Sequence, residues 1–159
     1  MKPKHMTKVL IAIDYNPSAQ KVAEIGYSLA KNMGAATTLL HVIVDPVYYA
    51  SEEYSPIMGF SGYPVMNPLM TDIVKDLFKA SDNYLDKTRR HLGDTTIRTV
   101  VGEGRLSETI LKTALEMHAD IIVMGSHSQK RLENILMGSV TEDVLRKSTL
   151  PVLFVPTNK

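Results

Sequence analysis

Cysteine is absent from the 159 residues, which excludes disulfides, thiolate metal sites and a cysteine nucleophile. Charge excess is also lacking: the formal net charge is +1, which gives no electrostatic reason to expect DNA, RNA or an anionic membrane as partner. No apolar run reaches membrane length. The basic stretch 1–8 passes straight into a short apolar run closed by Asp14, and no small-residue cleavage site follows it, so a cytoplasmic location is the expectation. Two common catalytic signatures are missing as well. No Gly-x4-Gly-Lys-Ser/Thr occurs, which excludes a P-loop hydrolase of the usual kind, and no Gly-x-Ser-x-Gly elbow marks a serine hydrolase. The histidines, His5, His41, His91, His118 and His127, do not pair at metal-ligand spacing with one another or with a carboxylate cluster, so no structural metal is expected.

What is present is a globular composition, 44% apolar and 22% charged, in a chain of the length of one ordinary domain with a real core. Residues 9–13 and 37–44 are short apolar runs without alternation, the pattern of strands buried on both faces of a parallel sheet. Between them, Asn16-Pro17 reads as a helix start, with Asn as N-cap and Pro at the first helical position. Val22, Ile25, Leu29 and Met33 then recur at helical spacing before Gly34. A second helix is expected through Ile73, Leu77, Tyr84 and Thr88 up to Gly93, an edge-type strand over 96–101, and a third helix over 107–118. Residues 120–124 form the next apolar strand, a last helix carries Val140, Val144 and Leu145, and 150–155 closes the chain. Strands alternating with helices and no linker predict a single domain over 1–159, an open five-stranded parallel α/β sheet with helices on both faces. The order expected of it is the Rossmann-like 3-2-1-4-5, in which strands one and four flank the reversal. The stretch 46–68 breaks the pattern with tyrosines, methionines and four prolines. It reads as a lid, a partner surface or a poorly ordered insertion.

In such sheets ligands bind beyond the carboxyl ends of strands, where the strand order reverses. That rule selects Asp14, the region of Val42, and Gly125. Small residues at Gly125 and Gly138, with Ser139 opening a helix, are what phosphate oxygens require of a loop, because the helix N-terminus offers free N–H groups. The same glycines equally serve tight turns. His127 lies within the segment and Lys130 and Arg131 beside it as lesser candidates. Gly102-Glu103-Gly104-Arg105-Leu106-Ser107 imitates a dinucleotide fingerprint, but the third glycine is missing and it follows strand three.

The segment from Gly125 to Ser139 resembles the nucleotide loop of the universal stress protein family, Gly-x2-Gly-x9-Gly-Ser/Thr. The resemblance runs over essentially the whole chain: the opening strand ending in Asp14, Leu39-Leu40-His41-Val42, Gly104 before helix three, Ala119-Asp120-Ile121-Ile122-Val123-Met124-Gly125-Ser126-His127, and Leu150-Pro151-Val152-Leu153-Phe154-Val155-Pro156. It implies an ATP-binding stress-response sensor or regulatory module. Adenine would lie at Asp14 and Val42, ribose near Gly125, and phosphates against Ser128, Gly138, Ser139 and Val140, with Ser126 and His127 as further cofactor-binding positions of the same segment. If Mg2+ accompanies the phosphates, Asp14 is its candidate partner through water. Two positions depart from the family. Leu106 stands where proline is frequent, and Ser128 replaces the second glycine. At a positive φ the serine would cost roughly 1 kcal/mol or more; in an ordinary conformation its hydroxyl would be a donor. Two further readings follow, a slow ATPase in the same pocket, for which only His127 or Asp14 offers a general base, and a stress module that has lost nucleotide through Ser128. Pro151 and Pro156 flank an edge strand, and the resemblance implies that Val152–Val155 pairs with the same strand of a second copy in a homodimer.

Overall fold

The computed structural model describes residues 2–44, 68–126 and 139–157. The Tyr/Met stretch 46–67 and the loop positions His127, Ser128 and Gly138 lie outside the described residues. Nine elements alternate along the rest: β1 Lys8–Ala12, α1 Ala19–Met33, β2 Ala36–Val44, α2 Pro68–Leu92, β3 Arg98–Gly104, α3 Leu106–Glu116, β4 Ile121–Gly125, α4 Ser139–Lys147 and β5 Val152–Val155. All pairings are parallel, as the alternation of apolar runs and helices predicts, and the order is the expected β3-β2-β1-β4-β5.

Both faces of the central strands are covered, which is why those runs are continuously apolar. Val9, Ile11 and Ile13 of the first strand region join Leu39 and Val123 under Val22 and Ala23 of α1 and Leu85 of α2. Leu10, Leu40, Val42, Ile122 and Met124 point the other way, toward Ile110 and Ala114 of α3 and Val144 of α4. Right-handed crossovers place α1 and α2 on one face; the chain then returns past β1, so α3 and α4 fall on the opposite face.

The helix faces differ from the sequence expectation in a consistent way. Ile25, Ile73, Leu115 and Leu145 are all exposed. The inward stripe of α1 is instead Ala19, Val22, Ala23, Gly26 and Ala30, because small residues let the helix sit close on the sheet. A Cβ on Gly26 would lie 2.7 Å from Ile11 Cδ1. In α2 the buried positions are Ser81 and Leu85. The start of α1 also shifts. The helix proper begins at Ala19, yet Asn16 Oδ1 accepts the Ser18 N–H at 3.1 Å, so Asn16 caps a tight turn that precedes the α-helical ladder.

Two local features carry measurable consequences. Helix α3 ends as α1 does, with His118 N–H on Leu115 O at 3.2 Å and Ala119 N–H on Ala114 O at 2.9 Å, the paired bonds of a Schellman ending. In α1 the left-handed residue is Gly34; here it is His118, at φ 55°. We expect His118→Gly to raise stability by about 1 kcal/mol, since relief of left-handed strain exceeds the added chain entropy of glycine. A lower denaturation midpoint would contradict this.

Asp94, between α2 and β3, accepts Thr96 N–H at 2.8 Å, Thr96 Oγ1 at 2.5 Å and Tyr27 Oη at 2.7 Å. These donors favour the carboxylate and draw its pKa from 3.8 to about 2, with the Thr96 hydroxyl the largest cause. Because the folded pKa lies below the unfolded one, the associated stability is present above pH 4 and is lost as pH falls through about 2. Thermal melts between pH 5 and 2 should fall less steeply for Asp94→Asn than for the wild type; parallel acid limbs would refute the assignment.

Candidate functional site

The site lies where the direction of chain winding reverses. The loop leaving β1 turns toward α1 on one face and the loop leaving β4 toward α4 on the other, so their carboxyl ends bound a crevice. Pairing of Ile11 with Val123 brings the residues just beyond, Asp14 and Gly125, to the same edge.

On the β1 side the turn is held from several directions. Ile13 N–H donates to Leu40 O at 2.9 Å, the last backbone bond between these strands. The Ile13 carbonyl is met by Nδ1 of buried His41 at 2.9 Å, and the Asp14 carbonyl accepts the Tyr84 hydroxyl of α2. Asp14 Oδ1 accepts the Asn16 N–H at 3.0 Å, so its carboxylate shapes the turn. Tyr15 closes the arrangement, its ring centroid 4.4 Å from His41 and 4.8 Å from Tyr84. Burial, aided by the negative charge of Asp14 and by Tyr15, pushes the Tyr84 phenol up to about 12, so it remains a protonated donor across the physiological range.

Strand β2 outruns β1. Their pairing ends at Ala12 with Leu40, whereas β2 and β3 stay paired to Val44 and Gly104. Alternation therefore turns the N–H and C=O of Val42 to the side where β1 has already ended. The Val42 side chain is buried among α3-facing residues, which leaves the backbone as its means of contacting a ligand.

On the β4 side, Thr141 Oγ1 lies 3.5 Å from Gly125 O, bringing the first turn of α4 to the end of β4. Ser126 N–H is engaged by Val155 O at 3.0 Å, so any donor Ser126 offers to a ligand is its hydroxyl. Ser139 is exposed at the helix start and Val140 packs on the α3/α4 core. The acidic groups of α4 are matched: Glu142 with Arg146 at 3.0 Å, and Asp143 with Lys147 at 3.3 Å. Asp143 also accepts the Ser107 hydroxyl of α3, the first cause of its lowered pKa.

Asp14, Val42, Gly125, Ser126, Ser139 and Val140 thus share the carboxyl edge of the sheet. The Gly102–Gly104 motif is accounted for by the fold. A Cβ at Gly102 would meet Thr109 Cγ2 at 2.7 Å, and Gly104 turns at φ 124°, so both admit the start of α3. Among the described residues no group of three or more His, Asp or Glu could hold a metal, and no described helix is long and apolar enough to cross a membrane. Sequence reasoning missed the cluster of Tyr15, Tyr84 and Ser81; His41 was legible as a core residue, but no local pattern links it to an α2 tyrosine 43 positions away.

This architecture, a doubly wound α/β sheet whose winding reverses between β1 and β4, is shared by a large class of α/β domains. Within it the chain belongs to the universal stress protein family, whose sequence model matches residues 6–156. Universal stress protein MJ0577 of Methanocaldococcus jannaschii is 28% identical over 151 residues, with 93% of each chain covered. The solved structure of MJ0577 superposes with a TM-score of 0.71 at 26% identity, covering 98% of this chain and 99% of that one. Two more distant structures share the fold. A universal stress protein in complex with cAMP is 18% identical with a TM-score of 0.62, covering 98% of this chain and 100% of its own. One from Archaeoglobus fulgidus in complex with dAMP is 17% identical with a TM-score of 0.54, covering 95% and 98%.

Proposed function

We propose that this protein binds ATP at the β1/β4 crevice and acts as a stress-response sensor or regulatory module through nucleotide occupancy. The observation that carries the reading is the overrun of β2 past β1. It aims one backbone donor and one acceptor at Val42, the complement of an adenine edge, while Asp14 stands on the adjoining turn. The helix start at Ser139, tied to Gly125 through Thr141, supports phosphate binding by N–H groups and the helix dipole. Family members in complex with cAMP and dAMP support an adenine nucleotide as the ligand class. His127, Ser128 and Gly138 would complete the phosphate contacts, with Gly125 beside the ribose and Val140 fixing the helix start. Mg2+, if it accompanies the triphosphate, would be met by Asp14 through water. Calorimetric titration with ATP, with and without Mg2+, should show saturable binding. Ser139→Ala should weaken it about tenfold, the loss of one hydrogen bond to a charged group. No heat and no displacement of a fluorescent ATP analogue at millimolar ATP would refute the proposal.

We further propose a homodimer through Val152–Val155. Strand β5 pairs with β4 on one side, and its Val152, Leu153 and Phe154 are half-buried, so a second copy would cover an edge that is otherwise open to association. Sedimentation should give twice the 17.7 kDa chain mass; a monomer at all concentrations up to the millimolar range would overturn this.

A further inference from the structure

We propose that Tyr84 is a positioning residue of the nucleotide site, acting through the backbone of Asp14, and that α2 is thereby an integral support of that site. The inference rests on the nucleotide reading above and assigns to it a residue that touches no ligand. Asp14 follows the end of β1 by two residues, and beyond Ile13 the sheet ladder no longer holds the chain. Its carbonyl is instead held by the Tyr84 hydroxyl. The rings around this bond form one unit: Tyr15 on His41 and Tyr84, and His41 edge-on to Tyr84 at 5.6 Å. Tyr15 Oη is 3.2 Å from Ser81 Oγ, which donates to Leu77 O at 2.9 Å. Two carbonyls in succession, at 13 and 14, are therefore fixed by side chains from β2 and α2. Ile13 is buried, so its carbonyl requires a protein partner in any case. Asp14 is half-exposed and water could meet its carbonyl, so the Tyr84 bond there fixes the turn rather than satisfying a buried group.

The anchorage of α2 to the domain does not depend on this bond. Leu85 is fully buried on the same helix, and Tyr27 ties α1 to Asp94 at the other end of the sheet by a phenol hydrogen bond of 2.7 Å. Tyr27 thus supplies a matched control, a phenol joining two elements remote from the crevice.

ATP affinity and apo-protein melting should be measured for the wild type, Tyr84→Phe, Tyr27→Phe, Asp14→Ala and the Asp14→Ala/Tyr84→Phe double variant. Phenylalanine keeps the ring contacts in each case. We expect Tyr84→Phe to weaken ATP about tenfold, Tyr27→Phe to lower the melting temperature and leave affinity unchanged, and the Tyr84 effect to vanish when Asp14 is already alanine. Unchanged affinity in a folded Tyr84→Phe protein would overturn the positioning role and leave the nucleotide reading intact. Equal affinity losses in both phenol variants, or additive losses in the double variant, would overturn it too, by making the effect one of general stability. Absence of ATP binding in the wild type would overturn both.

Discussion

Strand β1 is paired in parallel on both sides, to β2 through Ile11 and Leu39 and to β4 through Ile11 and Val123, and the remaining structure depends on that placement. A strand with neighbours on both edges and helices on both faces leaves no solvent-facing side chain along its middle, which accounts for Val9, Leu10 and Ile11 all being fully buried while Lys8 at its start is exposed. Parallel pairing also forces each connection to cross a face of the sheet, and the fixed hand of the crossover sends the first two helices one way and the last two the other. The crevice at the carboxyl edge is a consequence of this geometry. Asp14 and Gly125 come from neighbouring strands whose outgoing loops part company.

Much of this was legible in the sequence because it depends on patterns that only one environment satisfies. Runs such as 9–13 and 37–44 lack the alternation that a half-exposed strand would show, and they are the runs that became the core strands. Helix orientation was less legible. Apolar periodicity picked Ile25 and Ile73, whereas α1 presents Ala19, Ala23, Gly26 and Ala30 to the sheet. Hydropathy weighs a large side chain above a small one, but close approach rewards the small one when Ile11 already fills the space. The ending of α3 was equally hidden, since a histidine in the left-handed region at His118 breaks the expectation that such positions are glycine.

The candidate site divides along the same line. Asp14, Val42, Gly125 and Ser139 could be named from strand ends and a helix start. What fixes them could not, because the supports are single bonds between distant residues: Tyr84 to the Asp14 carbonyl, His41 to the Ile13 carbonyl, Thr141 to the Gly125 carbonyl, and Ser107 to Asp143. The first three satisfy a carbonyl at a strand's end, where the ladder stops and the backbone requires another partner; the fourth joins side chains of α3 and α4. Periodicity carries no information about such pairs. They follow only once the sheet has set which ends are neighbours.

The charges around the start of α4 bear on how the proposed site would accommodate an anion. Acidic residues near a helix N-terminus favour the dipole; here Glu142 closes the first turn and Asp143 follows it, behind Ser139, Val140 and Thr141. Arg146 and Lys147 lie one turn farther on at 3.0 and 3.3 Å, and Ser107 from α3 occupies one Asp143 oxygen. Both carboxylates are thereby paired with cations on the side away from the helix start. Thr141 is buried and directed at Gly125, which keeps that end of the helix against β4. On the proposed nucleotide reading, phosphate affinity at this helix start would depend on how well Arg146 and Lys147 offset the helix's own negative charge.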